Sequence, residues 1–218
     1  MKRLFLTSQV QHVADKIAET LGDEVKLKAV FIDTTIRDQV HSNLDWHKLN
    51  KSKMEESGFD FDMYDIAGKS AEQIVLDLDK YDIMYIEGGN PFYLQQEAQK
   101  NNFIEFVKRK VEEGLIYIGT SAGSILAGPD TSSVNRPGKS ADMYNLASTK
   151  GLNLVNFVVM PHWGDVKKKD YCFEYKIPNS YNENYPYIML TDTQYVEVKD
   201  DSFKIIDVKN NNSNSSNI

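Results

Sequence analysis

The chain lacks several things that would otherwise classify it. Among 218 residues there is one cysteine, Cys172, so no internal disulfide can form. That fits a reducing compartment, and a cytoplasmic location is expected. No apolar run approaches the ~20 residues that cross a bilayer, and the opening "MKRLFLTSQV" enters structured pattern without a signal-peptide h-region. Positive charge is scarce: 25 Lys and Arg face 32 Asp and Glu, a net charge of -7. General binding to nucleic acid or to a membrane surface requires basic patches that meet phosphates, so neither partner is expected. The compact basic cluster Lys167-Lys168-Lys169 reads first as a solvated face. Histidine is rare too, with four in the chain.

What is present alternates. "RLFLTS" (3–8) reads as a strand, and Val10, Val13, Ala14, Ile17 and Leu21 then recur at helical steps, with Ser8 as a plausible N-cap. "KLKAVFIDTT" (26–35) is a buried strand. The polar stretch from Arg37 to Gly58 turns helical in its second half, where Trp46, Leu49 and Met54 are expected on one face. "FDFDMYDIAG" (59–68) alternates as a strand, and "SAEQIVLDLDKY" (70–81) is a helix opened by Ser70. "DIMYIEGG" (82–89) is another strand, followed by a helix with Asn90 as cap and Pro91 at its first position. Phe103, Phe106, Val107 and Val111 form the apolar side of a helix ending at Gly114, and "LIYIGTS" (115–121) follows as a strand. This rhythm predicts a three-layer α/β/α fold with a mostly parallel central sheet. "YIMLTDTQYVEVKDDSFKIIDV" (187–208) predicts a C-terminal antiparallel hairpin turning at Asp200-Asp201. Residues 1–209 are expected to form one domain. The polar, low-complexity "NNNSNSSNI" (210–218) reads as a disordered tail.

Chemistry is suggested first by Gly119-Thr120-Ser121-Ala122-Gly123. A serine hydroxyl is a weak nucleophile without a base and without donors for the oxyanion. A glycine-flanked serine on a sharp strand-to-helix turn supplies exposure, and the N–H of Ala122 then points at the oxyanion. A small residue in a tight loop gives the same five letters. The second piece is "IEGGNPFYL" (86–94), where Gly88 and Gly89 end a strand at the carboxyl edge of the sheet, the usual ligand edge of open α/β folds. That makes Gly89 N–H a candidate second oxyanion donor. Of the histidines, His12 lies in the first helix and His41 and His47 lie in the polar second connection. His162, in "VVMPHWGD", ends an apolar strand and is the candidate base. A third group must hold the imidazole's tautomer. Asp130, Asp142, Asp165 and Asp192 are all open, although Asp165 is placed to cap the next turn.

Together these segments resemble the peptidase E and cyanophycinase family of serine peptidases. The resemblance rests on Gly88-Gly89-Asn90 followed by Phe92 and Leu94, on the Ser121-Ala122-Gly123 elbow, and on Pro161-His162 followed by an aromatic residue, in that order. It runs from "RLFLTS" to "YVEV". It implies a flavodoxin-like fold related to class I glutamine amidotransferases, with Ser121 as nucleophile, His162 as base, and Gly89 and Ala122 as oxyanion donors. It also implies an acyl-enzyme route on short peptides without metal or cofactor. Asp192 stands where some members of the family carry a glutamate, and is preferred over Asp142 and Asp130. The arginine that pairs with an N-terminal aspartate in the family's aspartyl dipeptidases has no counterpart in "WGDVKKKDYCFEYK" (163–176). Lys168 or Lys169 is the substitute to consider, and Asn90 lies beside the expected site. A homodimer is a further expectation. The competing readings are another acyl hydrolase or amidase on the same fold, and a catalytically silent ligand-binding relative.

Overall fold

The computed structural model describes residues 1–37 and 43–209. His41 and the 210–218 tail therefore lie outside the described residues. Strands and helices alternate as β1 (Arg3–Thr7), α1 (Ala14–Leu21), β2 (Ala29–Ile32), α2 (Asp45–Glu56), β3 (Phe61–Tyr64), α3 (Ala71–Leu78), β4 (Ile83–Ile86), α4 (Pro91–Lys100), α5 (Phe103–Glu112), β5 (Ile116–Thr120) and α6 (Ala122–Ala127). A long connection leads to β6 (Val158–Met160), a helical stretch over 166–180, β7 (Tyr187–Met189), β8 (Gln194–Lys199) and β9 (Ser202–Asp207). No helix among the described residues is long and apolar enough to cross a membrane.

Seven strands form one sheet in the order β3-β2-β4-β5-β1-β8-β9. The first five are parallel, whereas β8 runs antiparallel to β1 and β9 antiparallel to β8. Central strands are apolar on both sides because helices cover both. Thus β5 sends Ile116 and Ile118 to the face shared with Ile17, Leu21 and Met54 of α1 and α2. It sends Tyr117 to the opposite face, with Ile74, Leu94 and Phe106 of α3, α4 and α5. The expected three layers and C-terminal hairpin are both present.

Local chemistry explains most helix starts. Ser70 and Gln73 form a reciprocal capping box on α3, and the Asn90 side chain accepts from Phe92 N–H ahead of Pro91 on α4.

Three details differ from the sequence pattern. The segment Val158–Met160 stays out of the main sheet and pairs in parallel with β7, which the alternation had assigned to the hairpin region. Leu49 is 44% exposed while Asn50 and Met54 are buried, because Leu49 lies about a third of a turn from the inward face defined by Trp46, Asn50 and Met54. Ser8 caps no helix: a short 3₁₀ turn over Val10–His12 precedes α1, and neither start carries a side-chain cap. The Ser8 hydroxyl is used elsewhere.

Candidate active site

The site lies where the adjacent strands β4, β5 and β1 end. Ser121 follows β5 with φ 46° and ψ -102°, a conformation that L-residues rarely adopt. Holding it costs about 1–3 kcal/mol, and the surroundings fix it from several sides. Ser121 N–H donates to Thr7 O at 3.0 Å, and Ile125 N–H donates to Ser121 O at 3.0 Å. Ser124 Oγ lies 2.8 Å from both Thr7 O and Gly119 O. The flanking glycines are required by contact. A Cβ on Gly123 would sit 2.3 Å from Ile86 O, and one on Gly119 would sit 2.7 Å from the Gly123 carbonyl carbon. Without side chains at both positions, α6 packs directly on the strand ends and the serine side chain is lifted above the sheet.

His162 reaches this serine from β6. Ser121 Oγ and His162 Nε2 are 3.0 Å apart, and His162 Nδ1 is 2.8 Å from Asp192 Oδ1. Leu190 N–H donates to Met160 O and Trp163 N–H donates to Leu190 O, so the β6–β7 pairing continues up to the histidine. His162 itself has φ 64°. Asp192 sits in the turn between β7 and β8, which Gln194 closes by donating N–H to Thr191 O and accepting Thr191 N–H on its side chain.

Ser8 is the residue that pattern reading missed. Its hydroxyl donates to Asp192 Oδ1 at 2.6 Å and accepts His162 N–H at 2.7 Å, while Gln9 Nε2 donates to Asp192 Oδ2 at 2.7 Å. The end of β1 thus holds both the carboxylate and the histidine backbone. Nothing in the sequence signals this role, since Ser8 reads there as a helix cap.

The electrostatics follow from burial and pairing. Burial pushes the His162 pKa below its ordinary value, the Asp192 hydrogen bond opposes this, and the Lys168 charge adds to the lowering. For Asp192, burial alone would raise the pKa, but hydrogen bonds from His162 and Ser8 outweigh it and bring the pKa down to about 2. The surroundings therefore favour the ionised carboxylate and the neutral imidazole side by side.

Two of the other aspartates, Asp130 and Asp165, are engaged in local turns. Asp130 accepts Ser132 N–H at 2.6 Å and lies 3.1 Å from Thr149 Oγ1. Asp142 is exposed, and Asp165 caps the next turn through Lys167 N–H at 2.9 Å. Gly89 has φ 126° and lies beside Ser121 together with Ala122 at the start of α6.

Two cavities flank Ser121 and His162. One, of about 460 Å³, is lined by Gly89, Ala122, Tyr171 and five cations: Arg136, Lys139, Lys167, Lys168 and Lys176. The other, of about 320 Å³, is lined by Ser8, Gln9, Trp46, Asn50, Gly88 and Lys168. Lys176 is buried, donates to Pro161 O at 2.8 Å, and is pushed down to about 8 chiefly by burial. Arg136 lies over the Tyr171 ring at 4.2 Å. Neither of these cations was singled out by the sequence. Arg136 precedes His162 in the chain, in the "NRPGK" turn, which lines the larger cavity through Arg136 and Lys139. Of the expected lysines, Lys168 lines both cavities, whereas Lys169 faces a third one of about 210 Å³ that touches His162 but not Ser121 and is lined also by Trp163, Cys172 and Phe173. Asn90 lines neither: its side chain caps α4 and reaches the Tyr144 hydroxyl. No group of three or more His, Cys, Asp or Glu among the described residues is arranged to hold a metal.

Comparison with known proteins agrees with this architecture. The model of peptidase family S51 matches residues 4–206. An uncharacterised peptidase of Listeria monocytogenes is 29% identical over 170 residues, 78% of this chain and 82% of the relative. A peptidase E of Nostoc is 28% identical over 170 residues, 74% of this chain and 66% of its own length. Among solved structures, a candidate peptidase E protein from Listeria monocytogenes superposes with a TM-score of 0.83 at 25% identity, covering 95% of this chain and 99% of the other.

Proposed function

Because the chain belongs to peptidase family S51 and is a serine-type peptidase, we propose that it cleaves short peptides through an acyl-enzyme on Ser121, as a dipeptidase or related exopeptidase. The observation that carries this reading is the line Ser121 Oγ to His162 Nε2 at 3.0 Å and His162 Nδ1 to Asp192 Oδ1 at 2.8 Å. His162 takes the hydroxyl proton as Ser121 attacks the scissile carbonyl. Asp192 holds the ring orientation and stabilises the imidazolium. Gly89 and Ala122 N–H groups receive the oxyanion, which is where charge develops. His162 then protonates the leaving amine, and water enters on the same base to release the acyl group.

Substrate size and charge follow from the two cavities. At about 460 and 320 Å³ they match small-ligand pockets rather than a cleft for a folded chain. Five cations around the larger one, in a protein of net charge -7, favour an anionic group on the substrate. Arg136 contributes the planar fork that a carboxylate prefers, and the lysines contribute point charges.

A fluorophosphonate probe with adduct mapping, run beside a dipeptide panel, tests the reading. Labelling of Ser121 that Ser121→Ala and His162→Ala abolish, together with hydrolysis of dipeptides, is the expected result. Hydrolysis confined to simple esters or amides would favour a different acyl hydrolase. No labelling between pH 5 and 9 would overturn the nucleophile.

A further inference from the structure

Glu87 lies between β4 and the glycine pair and is fully buried, 0% exposed. A carboxylate removed from water is costly unless its lone pairs are met. Three donors converge on Oε1: Asn50 Nδ2 at 2.9 Å, the Tyr85 hydroxyl at 3.0 Å and Gly88 N–H at 2.6 Å. His47 Nδ1 stands 2.9 Å from Oε2. Two of these groups, His47 and Asn50, come from α2, a helix that packs against α1 and the 3₁₀ turn over Val10–His12.

The backbone around Glu87 accounts for this expense. Glu87 N–H donates to Ile32 O at 3.1 Å, and Asn90 N–H donates to Thr35 O at 3.1 Å. Between them, Gly88 N–H is taken by the Glu87 carboxylate. Gly89 N–H is the one amide of this turn that meets no acceptor among the described residues, and Gly89 lines both cavities beside Ser121. A glycine pair has little conformational preference of its own, so its peptide planes rotate readily unless something external fixes them. The spacing is close: a Cβ on Gly88 would sit 3.4 Å from Ser121 Cβ and 3.5 Å from the Trp46 ring. Any rotation of the Gly88–Gly89 peptide therefore redirects Gly89 N–H relative to the nucleophile.

We infer that Glu87, braced by His47 and Asn50, is a positioning residue: it fixes the Glu87–Gly88 peptide, the anchor from which the Gly88–Gly89 peptide projects, and so aims Gly89 N–H at the developing oxyanion. The inference rests on the acyl-transfer reading of Ser121 and Gly89 given above. Glu87 touches no reacting atom. Its effect belongs to the transition state, where an oxyanion donor is worth most, and is nearly absent from ground-state binding.

The test compares wild type with Glu87→Ala and Glu87→Gln, the latter keeping an acceptor for Gly88 N–H. Steady-state kinetics on a cleaved dipeptide, inhibition by a peptide boronic acid whose tetrahedral adduct places an oxygen in the hole, and Tm are all measured. Glu87→Ala is expected to lower kcat about 100-fold with KM changed less than about threefold, and to weaken the boronate by a similar factor. Glu87→Gln is expected to recover most of that loss. If Glu87→Ala fails to fold, Glu87→Asp, which shortens the reach to Gly88 N–H, takes its place with the same expectation. A kcat within about threefold of wild type for the folded variant, or a loss that appears in KM, overturns the positioning role. Wild type that neither labels at Ser121 nor cleaves dipeptides overturns the acyl-transfer reading, and the role of Glu87 with it. With a wild type that does both, a failure of the Glu87 variants to lose kcat counts against Glu87 alone.

Discussion

Asp192 Oδ1 stands 2.8 Å from His162 Nδ1, although the two residues are 30 positions apart and come from different turns. The β6–β7 pairing brings them together, and Ser8 at the end of β1 ties them by accepting His162 N–H and donating to the same carboxylate oxygen. In the proposed mechanism, a base held in this way has a fixed tautomer with Nε2 placed to accept the Ser121 proton. Most of the expected behaviour of the enzyme follows from that arrangement.

The rate should depend on pH through His162. In the proposed mechanism its neutral form is the active one, and burial lowers its pKa. Log kcat/KM is therefore expected to rise with unit slope in acid and level off with its inflection below the unperturbed value of ~6.5. A pH profile from 4 to 8 checks this. An inflection above ~6.5 would show that Asp192 outweighs burial in setting the pKa.

Asp192→Asn should lower kcat by roughly a thousandfold or more, since an asparagine stabilises the wrong tautomer and cannot balance the imidazolium. Asp142→Asn should have no measurable effect on kcat. Asp130→Asn should cost about 1 kcal/mol of stability through its lost turn hydrogen bonds while leaving kcat nearly intact. Steady-state kinetics and denaturant unfolding on the three variants separate these outcomes.

Ser8→Ala removes one donor to Asp192 and the acceptor of His162 N–H. The expected result is a fall of about tenfold in kcat, the scale of one hydrogen bond to a charged group, with little change in KM. The inflection of the pH profile should also move, because Ser8 is one of the groups that hold Asp192 in its ionised form. A kcat unchanged by the substitution would assign Ser8 to folding alone.

Gly123→Ala adds a methyl group at a position where Ile86 O lies 2.3 Å away. The helix must shift off the strand ends, and a loss of roughly 2–3 kcal/mol is expected by denaturant unfolding. Because the same shift moves Ser121, fluorophosphonate labelling of the folded fraction should slow as well.

Arg136→Leu should raise KM for dipeptides with an acidic first residue by about tenfold and leave neutral substrates nearly unchanged. Lys176→Met should act similarly. It should also move the pH inflection upward, since the Lys176 charge is one of the groups lowering the His162 pKa. Equal effects on acidic and neutral substrates would argue against an anion-selective cavity.

The sequence by itself determined the layered α/β fold, the elbow around Ser121 and the strand-end place of His162. Each of these depends on short-range signals: alternating apolar runs, glycines where contact forbids a side chain, and a histidine closing an apolar segment. It narrowed the acid to a few aspartates and ranked Asp192 first by resemblance. It did not reveal Ser8, Glu87 or Arg136. Ser8 was assigned to a cap that local pattern made reasonable, and its actual partner lies 184 positions away. Glu87 read as one acidic letter ending an apolar strand, since its partners His47 and Asn50 sit on a helix with a weak apolar face. Only the tertiary structure decided these, because the sheet places β1 between β5 and β8. That order brings the ends of strands remote in sequence within hydrogen-bonding distance, and no local periodicity encodes which strand ends will be neighbours.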